Sequence, residues 1–260
     1  MAEKKQVPYG LRKIPPALPA QHLVMHCARL TTVNATVTDL DGHLVKGLPR
    51  DRFEVYEDGV AQDITQFTAD RVPVSLGILL DASDSMYGRR IADARTAIDH
   101  FVSDLLAPED EYAVTVFNHH QDVLSGWTGD RGVAASVLGP VKPWGSTAIY
   151  DAIMAALPMA DDRHNQRAAL LVVSDGADTA SDAALRDVRR ALLRTDLFIY
   201  AIGIDSPDRR IINTPVNAMT LGELTDQSGG RTRIVHDSAD VTGALAQLAE
   251  ELNSQYLIGY

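Results

Sequence analysis

An unbroken apolar run over residues 74–80 ends abruptly in Asp81, and a second such run over residues 168–173 ends in Ser174 and Asp175. A strand that is apolar at every position is buried on both faces, which is typical of parallel sheets covered by helices. Segments with apolar residues at helical spacing separate these runs from the ones that follow. The alternation therefore predicts an α/β fold with a doubly wound, mostly parallel sheet.

The predicted elements come from apolar periodicity and from the Gly and Asp residues that punctuate it. In a sheet of this kind, ligands bind beyond the carboxyl ends of the strands, where the strand order reverses. The residues that follow the buried strands are therefore the first candidates for a functional site. Strands are predicted over residues 74–80, 112–117, 123–127 (at an edge), 168–173, 197–204 and 234–235, and helices over residues 91–105, 146–160, 185–192, 221–228 and 241–252.

The chain before this domain divides into two parts. Residues 1–22 are rich in Pro, Lys and Ala, which predicts a flexible leader. Residues 23–70 show a period of two interrupted by the turn pairs Asp41-Gly42 and Asp58-Gly59, which predicts antiparallel hairpins. We therefore expect a small antiparallel β unit in front of the α/β domain.

The charge balance narrows the possible partners. The 260 residues carry a formal net charge of -11, and an excess of carboxylates disfavours nucleic acid or an anionic membrane surface as the main partner. Cys27 is the single cysteine, so neither an intrachain disulfide nor a thiolate zinc cluster is expected. The start lacks an apolar signal segment, and no run approaches the roughly 20 apolar residues that cross a bilayer. The cellular compartment is therefore left undefined.

Oxygen-bearing side chains follow both buried strands. Asp81, Ser83 and Ser85 come after the first strand, Asp175 ends the second, and Thr147 lies in a loop between them. If the two strands are neighbours, these five oxygen donors converge on one crevice, and oxygen-only ligands suit a hard cation such as Mg²⁺. The alternative is that the Ser and Asp residues cap the following helix, and the first segment by itself favours that interpretation.

The same residues match the metal-ion-dependent adhesion site of von Willebrand factor type A (vWA) domains. The chain resembles that family in three ordered segments: Asp81-x-Ser83-x-Ser85, Thr147 and Asp175. The resemblance implies that Ser83 and Ser85 ligate the metal directly, and that the other three residues bind it directly or through water. It implies a bound Mg²⁺, with Mn²⁺ or Ca²⁺ as alternatives, and an open position for an Asp or Glu of a partner protein.

The resemblance covers residues 72–254 and implies the Rossmann-like vWA fold. Residues 47–62 are similar to the β segment that precedes the vWA domain in a bacterial group, the vWA-related proteins common in Acidobacteria. Residues 255–260 look like the start of the strand with which that group returns to its β unit. Members of the group often carry export signals and continue beyond this strand. We therefore expect the β unit of this chain to lack a closing strand.

Two classes of function follow. The first is a non-enzymatic, cation-dependent protein-binding module for adhesion or scaffolding. The alternative is a regulatory subunit of an ATPase or chelatase-type complex, a role that some vWA domains serve. The sequence disfavours an enzyme because it lacks the residues that the following catalytic and phosphate-binding sites require. A phosphatase of the haloacid dehalogenase type needs an Asp where Ser83 stands, and neither a Gly-x-x-x-x-Gly-Lys phosphate loop nor a Gly-x-Ser-x-Gly elbow occurs.

Several other residues near the predicted site are interpreted as structural residues rather than as ligands. Asp84 is interpreted as a solvated residue at a helix start, and Asp178 as a turn residue. His119 and His120 are predicted to end a strand with their side chains pointing apart. Trp144 is interpreted as a packing residue rather than a contact for the partner.

Asp81 and Asp175 are expected to lie outside the core, since each stands at the end of its strand. Replacing either residue by Ala is therefore expected to abolish metal binding and to leave the fold intact. A variant that is unfolded by circular dichroism would contradict this expectation.

Overall fold

The computed structural model of this chain describes residues 31–176, 178–205, 216–226 and 228–260. The predicted leader, Cys27 and the first residues of the predicted β unit lie outside the described residues. Within those ranges, no helix has the length and apolar character needed to cross a membrane.

Strands and helices alternate over most of the described chain. The strands are β1 (Thr32–Ala35), β2 (Val55–Glu57), β3 (Val60–Gln62), β4 (Gln66–Thr68), β5 (Val74–Asp81), β6 (Glu111–Phe117), β7 (Gln121–Thr128), β8 (Arg167–Ser174), β9 (Phe198–Ile204), β10 (Thr232–Val235) and β11 (Tyr256–Gly259). The α-helices are α1 (Arg89–His100), α2 (Val133–Leu138), α3 (Ile149–Met159), α4 (Leu185–Leu192), α5 (Ala218–Asp226) and α6 (Ser238–Leu252).

The larger sheet has the strand order β10-β9-β8-β5-β6-β7 over the described residues. Neighbouring strands are parallel except for β6 and β7, which are antiparallel at one edge. The chain runs outward from β5 to β7 and then returns to β8 on the other side of β5. The strand order therefore reverses between β5 and β8, and the predicted doubly wound, mostly parallel α/β fold is confirmed.

Helices cover both faces of this sheet, which explains the unbroken apolar run of β5. Ile78 and Leu80 belong to a core shared with α1 and α6, whereas Leu79 belongs to a core on the opposite face, shared with α3. Successive side chains of a strand point to opposite faces, so a strand between two helical layers needs apolar residues at every position. All eight residues of β5 are buried.

A second, antiparallel sheet combines strands from before and after the α/β domain. β11 lies between β1 and β4, and β2 pairs with β3 in a separate hairpin. The ring of Tyr256 lies 4.9 Å from that of Phe53 and 5.9 Å from that of Phe67, and its hydroxyl donates to the Val45 carbonyl (2.9 Å). The small antiparallel β unit is thus confirmed, whereas the exact domain boundaries stay predictions.

Two predicted helices differ locally from the structure, and one helix of the structure was not predicted. The helix predicted over residues 91–105 ends at His100 and continues as a π-helical turn, Phe101–Leu105, across which the apolar spacing is unbroken. α2 is missing from the predicted elements because six residues are too few to show a helical period. α3 begins at Ile149 rather than near residue 146, since Thr147 is held in a loop by hydrogen bonds to Thr179.

Candidate metal site

Asp81 and Asp175 stand at the carboxyl ends of the two central strands, β5 and β8, and both are 0% exposed. Asp81 accepts hydrogen bonds from the Ser83 backbone N–H (2.8 Å) and the Ser174 hydroxyl (2.5 Å). Ser174 Oγ in turn accepts from the Gly176 N–H (2.9 Å). The structure brings the two aspartates close enough for their charges to interact, at the carboxyl edge of the sheet. However, the prediction that they lie outside the core is wrong, because the loops that follow the strands fold over their ends.

The two serines lie in one loop, next to each other. Ser83 is almost completely buried, and its Oγ lies 3.0 Å from Oγ of Ser85. Ser83 precedes a 3₁₀ turn at Asp84–Met86, yet its side chain makes no capping hydrogen bond, and α1 begins only at Arg89. The helix-capping interpretation therefore does not describe Ser83.

A third loop, which carries Thr147, is hydrogen-bonded to the other two. The Gly145 carbonyl accepts from the Asp84 backbone N–H (2.9 Å). On the other side, the Thr147 N–H donates to Thr179 Oγ1 (3.0 Å), and the Thr147 carbonyl accepts from the Thr179 N–H (2.8 Å). All members of the predicted metal set therefore lie in one connected group of loops at the carboxyl edge of the sheet. Their role as ligands stays a prediction.

A buried arginine that the sequence patterns do not point to contacts two of the site loops. Arg90 is 3% exposed, and its Nη1 lies 3.1 Å from Oδ2 of Asp175 and 3.3 Å from the Ser85 carbonyl oxygen. The one sequence signal was its position in the first turn of α1, where the helix dipole disfavours a cation. An arginine at that place needs a partner, and Asp175 supplies it.

The donor set fits a hard cation. The second oxygen of Asp175, Oδ1, is buried and has no hydrogen-bond partner among the described residues, and an unsatisfied buried carboxylate oxygen is costly. Burial raises the pKa of Asp81 to about 6, against the lowering effect of hydrogen bonds from Ser174 and Ser83, and the charge of Asp175 adds to the rise. A divalent ion near these carboxylate and hydroxyl oxygens would relieve both penalties.

The histidine pair beside this site differs from its predicted geometry. β6 ends at Phe117, and His119 and His120 lie in the bend that follows, with ring centroids 4.2 Å apart. The prediction that their side chains point apart is therefore wrong, since they are not in a strand. The rings of Trp144 and His119 are perpendicular, with 4.6 Å between their centroids, and Trp144 is 54% exposed. Trp144 thus packs against His119 and is also about half exposed.

Asp178 has a larger role than the predicted turn residue. Its Oδ1 accepts from the Ile149 backbone N–H (2.9 Å) and from the Ser181 hydroxyl (2.6 Å). Asp178 therefore caps the N-terminus of α3 from a different loop and satisfies one of its unpaired N–H groups. In the reverse direction, Asp151 of α3 accepts from the backbone N–H of Asp182 (2.9 Å).

Gly145→Ala is expected to destabilise the fold more than a glycine substitution at a comparable turn. Gly145 has a φ of +78°, and a Cβ there would lie 2.5 Å from Nδ1 of His119. Gly47 has a similar φ of +72°, but no atom lies within 4 Å of its Cβ position. Both variants carry the strain of a left-handed residue, about 1 kcal/mol, and the His119 contact adds about 1–3 kcal/mol at Gly145. Urea unfolding measures the difference, and equal losses would contradict a close contact.

The reversal of strand order beside two buried aspartates defines a Rossmann-like α/β domain, and the carboxyl edge of the sheet is where such a domain is expected to bind a ligand. The family model of the von Willebrand factor type A domain matches residues 76–177. The chain therefore contains a vWA domain, as its resemblance to that family implied. The likeness to the Acidobacteria group stays a prediction.

Known proteins support the same family and fold. Inter-alpha-trypsin inhibitor heavy chain H2 of Mesocricetus auratus is 22% identical over 247 residues, which are 86% of this chain but only 25% of that protein. The conserved hypothetical protein BatB of Bacteroides thetaiotaomicron has a TM-score of 0.59 at 22% identity, covering 69% of this chain and 98% of its own. The vWF domain of the type V pili tip protein Mfa5 of Porphyromonas gingivalis has a TM-score of 0.57 at 14% identity, covering 71% and 96%. The chain thus spans about a quarter of the length of its curated relative.

Proposed function

We propose that this chain is a non-enzymatic module that binds a partner protein through a divalent cation. Mg²⁺ is the expected ion, and Mn²⁺ or Ca²⁺ are alternatives. The observation that carries the proposal is the buried Oδ1 of Asp175, which has no hydrogen-bond partner among the described residues, next to buried Asp81 at the carboxyl edge of the sheet. The proposed ligands are Asp81, Ser83, Ser85, Thr147 and Asp175.

The chemistry of these ligands favours an ion that still has a coordination position for a ligand from a partner protein. Three of the five are hydroxyls, which donate an oxygen to the ion without neutralising its charge. Mg²⁺ takes six oxygen ligands in an octahedron, so the ion would still accept a ligand from outside. An acidic side chain of a partner supplies both the oxygen and the missing negative charge, and such a contact is strong in a partly dry crevice.

The surroundings of the serines favour binding over catalysis. A nucleophilic serine needs an adjacent base to take its proton. Asp81, the carboxylate two residues from Ser83, has one oxygen bound to the Ser83 N–H and the other to the Ser174 hydroxyl. This carboxylate therefore joins the loop that follows β5 to the end of β8, and both of its oxygens already accept hydrogen bonds.

Relatives point to the same class of function. Mfa5 is a pilus tip protein, and its vWF domain shares the fold of this chain. A place at the tip of a pilus is in keeping with the adhesion or scaffold role proposed for this chain. The regulatory subunit of an ATPase or chelatase-type complex would use the same site, and the identity of the partner distinguishes the two.

The test has two stages. Calorimetric titration of MgCl₂ and MnCl₂ into the metal-free chain is expected to give saturable binding at one site. A random peptide library is then selected on the Mg²⁺-loaded chain, and the selected peptides are expected to share an Asp or Glu. Each peptide should lose binding in EDTA and when its acidic residue becomes Asn or Gln. Selected peptides that bind equally well in EDTA, or without an acidic residue, would count against the proposal.

A further inference from the structure

Arg90 is a buried cation inside the site proposed for a metal cation. It stands in the first turn of α1, where its Nη1 contacts both Oδ2 of Asp175 (3.1 Å) and the Ser85 carbonyl oxygen (3.3 Å). It thereby joins the end of β8 to the loop that follows β5. A guanidinium that is 3% exposed and bound to two of the three site loops has a defined position.

The formal charges of the buried groups show what Arg90 changes. Asp81 and Asp175 carry two negative charges and Arg90 one positive charge, so the site without metal has one net negative charge. A divalent ion turns this into one net positive charge. Without Arg90, the same ion would leave the site neutral. Arg90 therefore opposes the binding of the ion and makes the loaded site more attractive to an anion.

We propose that Arg90 is a built-in counter-cation of Asp175 that holds the metal-free site together and weakens its affinity for the metal. The inference deepens the proposed function, because it rests on a divalent ion binding beside Asp175. Its consequence is coupling: the loaded site carries a positive charge that the acidic residue of a partner removes. Metal and partner then bind more tightly together than either binds alone.

Two opposing effects decide the sign of an Arg90 substitution. The hydrogen bond from Arg90 orients the Asp175 carboxylate, which favours the metal, whereas its charge repels the metal. The repulsion acts between a monovalent and a divalent cation on one carboxylate in a buried crevice, where screening by water is weak. A single hydrogen bond to a charged group contributes less than this repulsion. Removing Arg90 is therefore expected to tighten metal binding.

The test titrates MgCl₂ into the full chain carrying Arg90→Met, Arg90→Lys or Arg89→Met. Arg90→Met is expected to bind Mg²⁺ more tightly than the wild type, on the order of tenfold. Arg90→Lys keeps the charge and should bind like the wild type. Arg89 is the matched control, since it is exposed in the same helical turn and its replacement changes the net charge equally. Equal or weaker binding by Arg90→Met, or an equal gain in Arg89→Met, would overturn the proposal.

The outcomes separate this inference from the proposed function. If the wild type binds Mg²⁺ and Arg90→Met does not bind it more tightly, only the inference fails. If the wild type does not bind Mg²⁺ but Arg90→Met does, the inference holds and the proposed function fails as stated. If neither binds, both fail.

A second measurement covers the case in which Arg90→Met folds poorly. Thermal unfolding in EDTA is compared for Arg90→Met, Asp175→Asn and the double variant. If Arg90 and Asp175 neutralise each other, the double variant loses less in Tm than the sum of the two single losses. Additive losses would overturn the assigned pairing, and this readout does not depend on metal binding.

Discussion

Asp81→Asn is expected to weaken Mg²⁺ binding by about a hundredfold or more while the metal-free domain stays folded. The substitution removes one of two carboxylates from a proposed site whose other donors include three neutral hydroxyls. Asn is close to Asp in shape and can still accept the hydrogen bond from the Ser83 N–H. The expected loss of Mg²⁺ affinity therefore comes from the missing negative charge rather than from a change in the loop.

The raised pKa of Asp81 also predicts how the stability of the metal-free fold changes with pH. Burial raises this pKa to about 6, above the value of about 3.9 for an unfolded chain. Between these values the folded chain keeps a proton that the unfolded chain has lost, so the metal-free fold loses stability as pH rises from about 4 to about 6. At pH 7 the ionised Asp81 opposes folding by up to about 3 kcal/mol. Asp81→Asn should therefore be at least as stable as the metal-free wild type at that pH.

Asp84→Asn is the matched control for this prediction. Asp84 lies in the same loop and its replacement changes the charge equally, but its side chain is exposed. Calorimetry should show nearly unchanged Mg²⁺ binding in Asp84→Asn and none in Asp81→Asn at the same concentrations. Urea unfolding in EDTA measures stability. Mg²⁺ binding by Asp81→Asn within tenfold of the wild type would show that Asp81 is not a ligand, directly or through water.

Asp175→Ala is expected to destabilise the metal-free fold by about 3–5 kcal/mol, because it removes the carboxylate that lies 3.1 Å from the buried Arg90 guanidinium. The sequence by itself led to the opposite expectation, namely that Asp175→Ala leaves the fold intact. Arg90 and Asp175 are 3% and 1% exposed in their side chains, so water does not substitute for the lost carboxylate. The two aspartates thus differ. The ionised form of Asp81 opposes folding, whereas the ionised form of Asp175 is paired with Arg90.

An ion pair at the surface provides the control for Asp175→Ala. Arg163 and Asp196 lie 3.1 Å apart, the same distance as Arg90 and Asp175, but Asp196 is 53% exposed. Asp196→Ala should cost no more than about 1 kcal/mol, since exposed pairs are screened by water. Urea unfolding of both variants in EDTA gives the comparison. Similar losses in the two variants would mean that burial does not set the strength of the Arg90 pair.

Much of the architecture follows from patterns within single segments. The apolar runs that become β5 and β8 predict strands buried on both faces, because every residue of a strand between two helical layers meets a core. The rule that parallel strands end at one edge of a sheet then places Asp81 and Asp175 on the same side. The order of residue types around Asp81, Thr147 and Asp175 also suffices to identify the vWA family, which the family match confirms.

The partners of individual polar groups are decided only by the tertiary structure. Arg90 meets Asp175 across 85 residues of chain, and Asp178 caps α3 across 29 residues. β11 lies between β1 and β4, far from both in sequence. Asp81 likewise accepts a hydrogen bond from the hydroxyl of Ser174, which lies on the neighbouring strand. Periodicity reports which face of one segment is apolar, whereas a salt bridge, a cap or a strand pair depends on how two distant segments are placed relative to each other.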